Sequence, residues 1–252
     1  MVRPTSKEAA TRLVILKYHI LHAWMLPGRK TLSEKEKERF PEETSMDGDK
    51  FWRPLKDSGL WPAMSPKERE YAERSVPTLT SQQIIDASWR MESAVVLMWA
   101  LNIIAKPPSF DSQSELDLLK QIPNRLKELI AGASLRSPEV VDHYRDVAEL
   151  WHWRSRTRQL QEEGRALPKG LAAQGIRSYD DIIRNAARHA FDKGDIPSLC
   201  NGDFPVKGKA YRDLTDEEWS ESRSIIMERH FAANWLCGEA PENQWDETPT
   251  DT

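Results

Sequence analysis

Apolar residues recur at a helical period along most of this chain. Leu13, Leu16, Ile20 and Trp24 fall on one stripe, and Tyr144, Ala148 and Trp151 on another, as on helices that bury one face. Explicit start signals precede the stripes. Ser65-Pro66-Lys67-Glu68, Thr80-Ser81-Gln82-Gln83, Ser112-Gln113-Ser114-Glu115 and Thr215-Asp216-Glu217-Glu218 each set a hydroxyl three residues before a side chain that can reach back. This capping box satisfies two orphan backbone N–H groups at once. Ser137-Pro138 and Ser178 mark two further starts, and Pro27-Gly28, Pro107-Pro108, Gly132, Gly164, Gly194 and Gly238 supply stops. The pattern predicts helices near 6–26, 65–75, 80–105, 112–131, 137–163, 178–193 and 215–237.

Residues 27–62 are rich in proline and glycine, so they read as loop with a short helix at 33–39. The 204–214 segment can hold a short hairpin across Lys207-Gly208-Lys209. No internal repeat and no βα alternation is visible, which removes repeat and parallel-sheet architectures. The expected fold is mainly α: a compact helical domain of about six to eight helices with at most a short β-hairpin. Its expected organisation is an N-terminal helix and irregular segment over 1–79, packed on a helical core domain over 80–252.

Composition narrows the function classes. The 36 basic and 40 acidic residues leave a net charge of −4, so the overall field speaks against a nucleic-acid partner. Ten Trp against six Phe and five Tyr suit a core that also contains polar partners for indole N–H groups. Cys200 and Cys237 stand far apart without C-x-x-C spacing and read as reduced thiols of a cytoplasmic protein. The N-terminal apolar stretch is interrupted by Lys17, His19 and His22, unlike a signal peptide. The 94–105 run is broken by Asn102 and falls short of the ~20 residues that cross a bilayer. No membrane partner is expected.

Four stretches resemble the bacterial family catalogued as domain of unknown function 4272. They are Ser88-Trp89-Arg90-Met91-Glu92 continuing into Leu97-Met98-Trp99-Ala100-Leu101, then Trp151-His152-Trp153-Arg154, then Glu228-Arg229-His230-Phe231-Ala232-Ala233-Asn234-Trp235-Leu236. The fourth is the ending Trp245-Asp246-Glu247-Thr248-Pro249-Thr250-Asp251-Thr252. The resemblance covers roughly 80–252 and implies a mainly helical bacterial protein; it brings no activity with it.

Charges interrupt three of the apolar stripes. Glu92 shares a face with Ile85, Ser88, Val95 and Trp99; Arg154 and Arg158 continue the Tyr144, Ala148, Trp151 stripe; Arg229 lies among Ile225, Ala232 and Leu236. A charge aimed inward persists only when paired. Two readings stay open: a buried Glu92–arginine network that fixes helix register, or a polar pocket whose arginines meet an anionic ligand. With the motif residues added, the candidate binding set is Arg90, Glu92, Arg154, Arg158, Arg229, Trp99 and Asn234, and the candidate catalytic groups are Glu92 and His230.

Other signals are weaker. His19 and His22 sit one turn apart without a third ligand nearby, and read as partly exposed histidines of an amphipathic helix. No metal or cofactor is implied, since no H-E-x-x-H, G-x-S-x-G or glycine-rich phosphate motif occurs. Arg156 diverges from Arg154 and Arg158, and Trp151 from Trp153, so neither run forms one patch. Trp245 beyond the Gly238 stop predicts a tail that folds back, with Trp245 and Asp246 as its anchor. The preferred function is a non-catalytic interaction or regulatory protein, inhibitor-like, with a protein partner. The alternative is a hydrolase or transferase acting on an anionic substrate in an Arg/Glu-lined pocket.

Overall fold

The computed structural model describes residues 2–26, 48–167 and 176–250. The helix expected at 33–39 lies outside them. The fold is mainly α. Helices α1 (Ser6–Met25), α2 (Gly48–Asp57), α3 (Pro66–Glu73) and α4 (Ser81–Ala100) are followed by α5 (Leu126–Ala131), α6 (Pro138–Glu162), α7 (Tyr179–Lys193) and α8 (Asp216–Leu236). Complete capping boxes start α1 (Thr5 and Glu8), α3 (Ser65 and Glu68), α4 (Thr80 and Gln83), α7 (Ser178 and Asp181) and α8 (Thr215 and Glu218). The hairpin pairs β1 (Pro205–Val206) with β2 (Lys209–Ala210) in antiparallel register. Lys207 (φ 49°) and Gly208 (φ 79°) form its turn, since the twist of a two-residue hairpin asks for positive φ at both positions.

Helix α4 lies between α1 and α8, and α8 packs in turn on α6. The run Ala94–Leu101 is buried on every side, as its unbroken apolarity requires. One apolar core joins Leu13, Leu16, Val95, Leu97, Tyr144, Trp151, Ile226 and Trp235 from these four helices. A second cluster on the other side of α1 holds Val14, Ile15, Trp52, Leu55 and Tyr71.

Four expectations are corrected. Helix α4 stops at Ala100, because Asn102 adopts φ 61°, a left-handed conformation that Asn tolerates better than most residues. The helix expected at 112–131 is a 3₁₀ turn at Leu116–Gln121 followed by α5. Pro123 forces extended backbone at Ile122 (φ −74°, ψ 118°), and the Ser114 N–H is taken by Glu92 at 2.8 Å. Helix α2 forms within the stretch read as loop: Gly48 and Pro54 signal breaks, yet Pro54 is exposed while Trp52 and Leu55 bury against α1. Ile85, placed on the Glu92 stripe, is 46% exposed.

Candidate functional site

The inward charges resolve into separate buried clasps. Glu92 on α4 and Arg229 on α8 are 0% and 1% exposed. Arg229 donates from Nε (3.0 Å) and Nη2 (2.6 Å) to Glu92 Oε2, and from Nη1 and Nη2 to the carbonyls of Ser109 and Ser112. The other carboxylate contacts come from Ser114, whose N–H and hydroxyl each donate at 2.8 Å. One ion pair thus fastens two helices and the 109–114 loop. Arg154 on α6 instead meets Asp203, with two parallel 2.7 Å bonds from Nε and Nη2. Burial would raise the Asp203 carboxyl, but Arg154 and the N–H groups of Phe204 and Arg212 outweigh it and hold it low. Such bidentate, charge-assisted geometry is the strong form of the interaction.

The remaining candidates are dispersed. Arg90 on α4 donates to Glu228 at 3.2 Å and lies over the Phe231 ring. Arg158 holds the hairpin exit through the carbonyls of Tyr211 (3.3 Å) and Leu214 (3.0 Å). Asn234 donates to the Pro249 carbonyl at 2.8 Å, and so binds the tail. Trp245 is buried against Phe231 and Trp235. Asp246 accepts from the Ser65 hydroxyl (2.8 Å) and the Lys67 N–H (2.9 Å) at the start of α3. Asp251 lies outside the described residues.

Four of the six histidines, His19, His22, His152 and His230, are interior. His152 and His230 face each other across α6 and α8 with Nδ1 atoms 2.9 Å apart, so one ring must donate and the other accept. Burial, with the neighbouring His152 and the Arg145 charge, pulls His230 down to about 3. His19 and His22, expected to be partly exposed, are buried among Phe51, Trp52 and Tyr71. The unforeseen α2, together with α3, covers that side of α1. Burial and the neighbouring His19 bring His22 down to about 4. Among the described residues no group of three or more His, Cys, Asp or Glu is placed to hold a metal ion. Cys200 and Cys237 are unlinked thiols.

Two hollows open near these clasps. One, of about 680 Å³, is bordered by Lys106, Ser109, Ser112, Ser114 and Arg229. The other, of about 570 Å³, lies between α6, the start of the 195–205 loop and the 107–111 segment. Its floor is a ladder of rings: Phe110 stacks between Tyr144 (5.7 Å, 24°) and Trp151 (5.6 Å, 14°), and Trp99 lies 4.7 Å from Tyr144. Asp111, Glu139 and Asp195 stand around it.

The family match extends over most of the chain, across residues 1–179. The chain belongs to the family described as Domain of unknown function (DUF4272). The DUF4272 match takes in α1 through the first residue of α7, and therefore Glu92, Arg154 and the aromatic ladder. The stretches at 228–236 and 245–252, which also carried the resemblance, lie beyond the match, and α1, which lay outside the resemblance, falls inside it. No curated protein and no solved structure matches the chain.

Chemically, the clasps bind the chain to itself. Sequence reasoning missed Asp203, Ser114 and Phe110. All three sit in loops, where no period signals direction; Asp203 between Gly202 and Phe204 carried only a turn signal.

Proposed function

We propose that this chain is a non-catalytic interaction or regulatory protein of the bacterial cytoplasm, one that acts, like an inhibitor, by presenting a rigid surface to a protein partner. One observation carries the reading. The Arg229 guanidinium is 1% exposed and its donors go to Glu92, Ser109, Ser112 and Ser114. A catalytic group must come within ~3 Å of a reacting atom, and this one is surrounded by its own chain. His230, 1% exposed with Nδ1 against His152, supports the same view. The two unlinked cysteines support the reducing compartment. No helix among the described residues is long and apolar enough to cross a membrane.

The test replaces both charges of the clasp at similar volume, Glu92→Met with Arg229→Met, and separately His230→Leu, in cells where deletion of the gene has a measurable phenotype. Folded variants that restore function support a non-catalytic role. A folded variant that fails to restore it overturns the reading.

A second reading, an enzyme acting on an anionic substrate, draws on the hollow where Lys106 and three serines adjoin Arg229. A melting temperature that rises with inorganic phosphate, and no longer does so in Lys106→Ala, would favour it.

A further inference from the structure

The aromatic cleft is separate from the buried clasps, and its chemistry is independent of whether the protein catalyses a reaction. We infer that it is a binding site for a small organic cation with a flat apolar body, such as an aromatic amine. Three features lead there.

The first is size. About 570 Å³ falls inside the ~300–1,000 Å³ of small-molecule sites. The second is the floor. Tyr144, Phe110 and Trp151 stand nearly parallel, and Trp99 closes one end. Each is at least nine-tenths buried, so the rings are fixed by packing before anything binds. The Arg229 guanidinium lies 5.7 Å from the Phe110 centroid, and the clasp to Glu92 thereby holds the ladder as well as the helices. A flat apolar body laid on that floor gains contact without ordering the protein.

The third is charge. Asp111, Glu139 and Asp195 border the cleft, and no lysine or arginine does among the described residues. Asp111 accepts the hydroxyls of Ser109 (2.6 Å) and Ser112 (3.2 Å), which orient its carboxylate without neutralising it. Asp195 lies 3.3 Å from His143 Nε2, a partner that is charged only when protonated. Arg136 stacks on Trp99 from outside the lining, and it donates to the carbonyls of Trp99, Ile104 and Ala105. Arg3 acts on Glu139 from outside the lining, but it is paired with Asp142. The cleft therefore offers apolar contact below and a net negative rim above, which disfavours anions and selects a cation carrying an apolar group.

Three indoles of similar shape separate these contributions: tryptamine (cation), tryptophol (neutral) and indole-3-acetate (anion), titrated calorimetrically against the full chain. Tryptamine should bind at one equivalent and at least about tenfold more tightly than tryptophol, and indole-3-acetate should not bind at about millimolar concentration. Asp111→Asn with Glu139→Gln should bring tryptamine to the affinity of tryptophol. Val140→Trp, at a position 44% exposed on the cleft wall, should block both while leaving the melting temperature near that of the parent. Equal binding of the three indoles, or no binding of tryptamine, overturns the inference. So does a dimer in sedimentation that Val140→Trp disrupts while tryptamine stays unbound, which would assign the cleft to a second copy of the chain.

Discussion

Glu92 and Arg229 lie 137 residues apart in sequence and 2.6 Å apart in space. Their pair joins α4 to α8, and through the carbonyls of Ser109 and Ser112 it also sets the path of the loop that delivers Phe110 to the aromatic ladder. Removing one partner leaves the other charged and buried in the interior. Glu92→Ala should therefore destabilise the fold by about 3–5 kcal/mol. The paired replacement Glu92→Met with Arg229→Met should cost much less, because no ion is stranded. Urea melts of the three proteins check this, and a Glu92→Ala midpoint equal to the parent's would contradict it.

Acid should unfold this protein early. His22 and His230 titrate at about 4 and about 3 in the fold, against ~6.5 in an unfolded chain. Below pH 6.5 the unfolded state takes up protons that the folded state refuses, so stability falls as pH falls. By pH 5 each histidine should remove about 2 kcal/mol. Glu68 and Asp203 add to the loss below about pH 4.5, since both are held low in the fold and gain protons on unfolding. Burial alone would raise Glu68, but Arg12, His19 and the Ser65 N–H outweigh it. Urea midpoints at pH 7.5, 6 and 5 should descend in that order; a constant midpoint would mean that these histidines are solvated.

Gly238 ends α8 at φ 81°, and a Cβ there would stand 3.0 Å from the Val2 carbonyl carbon and oxygen. Gly238→Ala meets two penalties: a left-handed backbone that alanine adopts at a cost of about 1–2 kcal/mol, and a collision with main chain, which cannot rotate away. A loss of more than about 2 kcal/mol is expected. Gly194→Ala is the control. Its φ is 79° with nothing within 4 Å of the added carbon, so only the backbone penalty applies. Equal losses in the two variants would show that the N-terminal strand of residues does not press on Gly238.

How much of this could be read from the residues depends on where each group sits. The capped helices were legible because Thr80, Ser65, Ser178 and Thr215 act within their own turn, on neighbours three residues away. Inward charges were legible as breaks in a stripe, since Glu92 and Arg229 lie on regular helices whose faces can be counted. Their surroundings were not. Ser114 belonged to a plausible capping box, yet its N–H serves Glu92, a contact made only after α4 and the loop meet. Asp203 answers Arg154 across 49 residues, and no local pattern records that pairing. Helix α2 was hidden by Pro54 because a breaking residue on an exposed face is outweighed by Trp52 and Leu55 docking on α1. The cleft was invisible for the same reason as Asp203: Phe110, Asp111 and Asp195 come from irregular segments, where direction is set by tertiary contact alone.

The C-terminal tail is held by ring packing, a cation over a ring, a helix cap and side-chain bonds to its carbonyls. The Trp245 ring is 2% exposed, edge-to-face with Phe231 at 4.7 Å and with Trp235 at 5.1 Å, and the Arg12 guanidinium lies over it at 5.2 Å. Asp246 caps α3 through Ser65 and Lys67, Asn234 donates to the Pro249 carbonyl, and Trp235 Nε1 donates to the Asn243 carbonyl at 3.2 Å. Burial of an indole contributes on the order of 3 kcal/mol, and a helix cap about 1 kcal/mol; the entropy of ordering the tail opposes both. A net contribution of about 2–3 kcal/mol remains, and at ~2–4 °C per kcal/mol in a protein of this size deletion of 243–252 should lower the melting temperature by several degrees. Trp245→Ala should reproduce most of the loss. Asp246→Asn should cost less, because an amide oxygen still accepts from one of the two α3 donors. A truncated chain that melts with the full-length protein would show that the indole contributes nothing that solvent does not replace, and Trp245→Ala would then be silent as well.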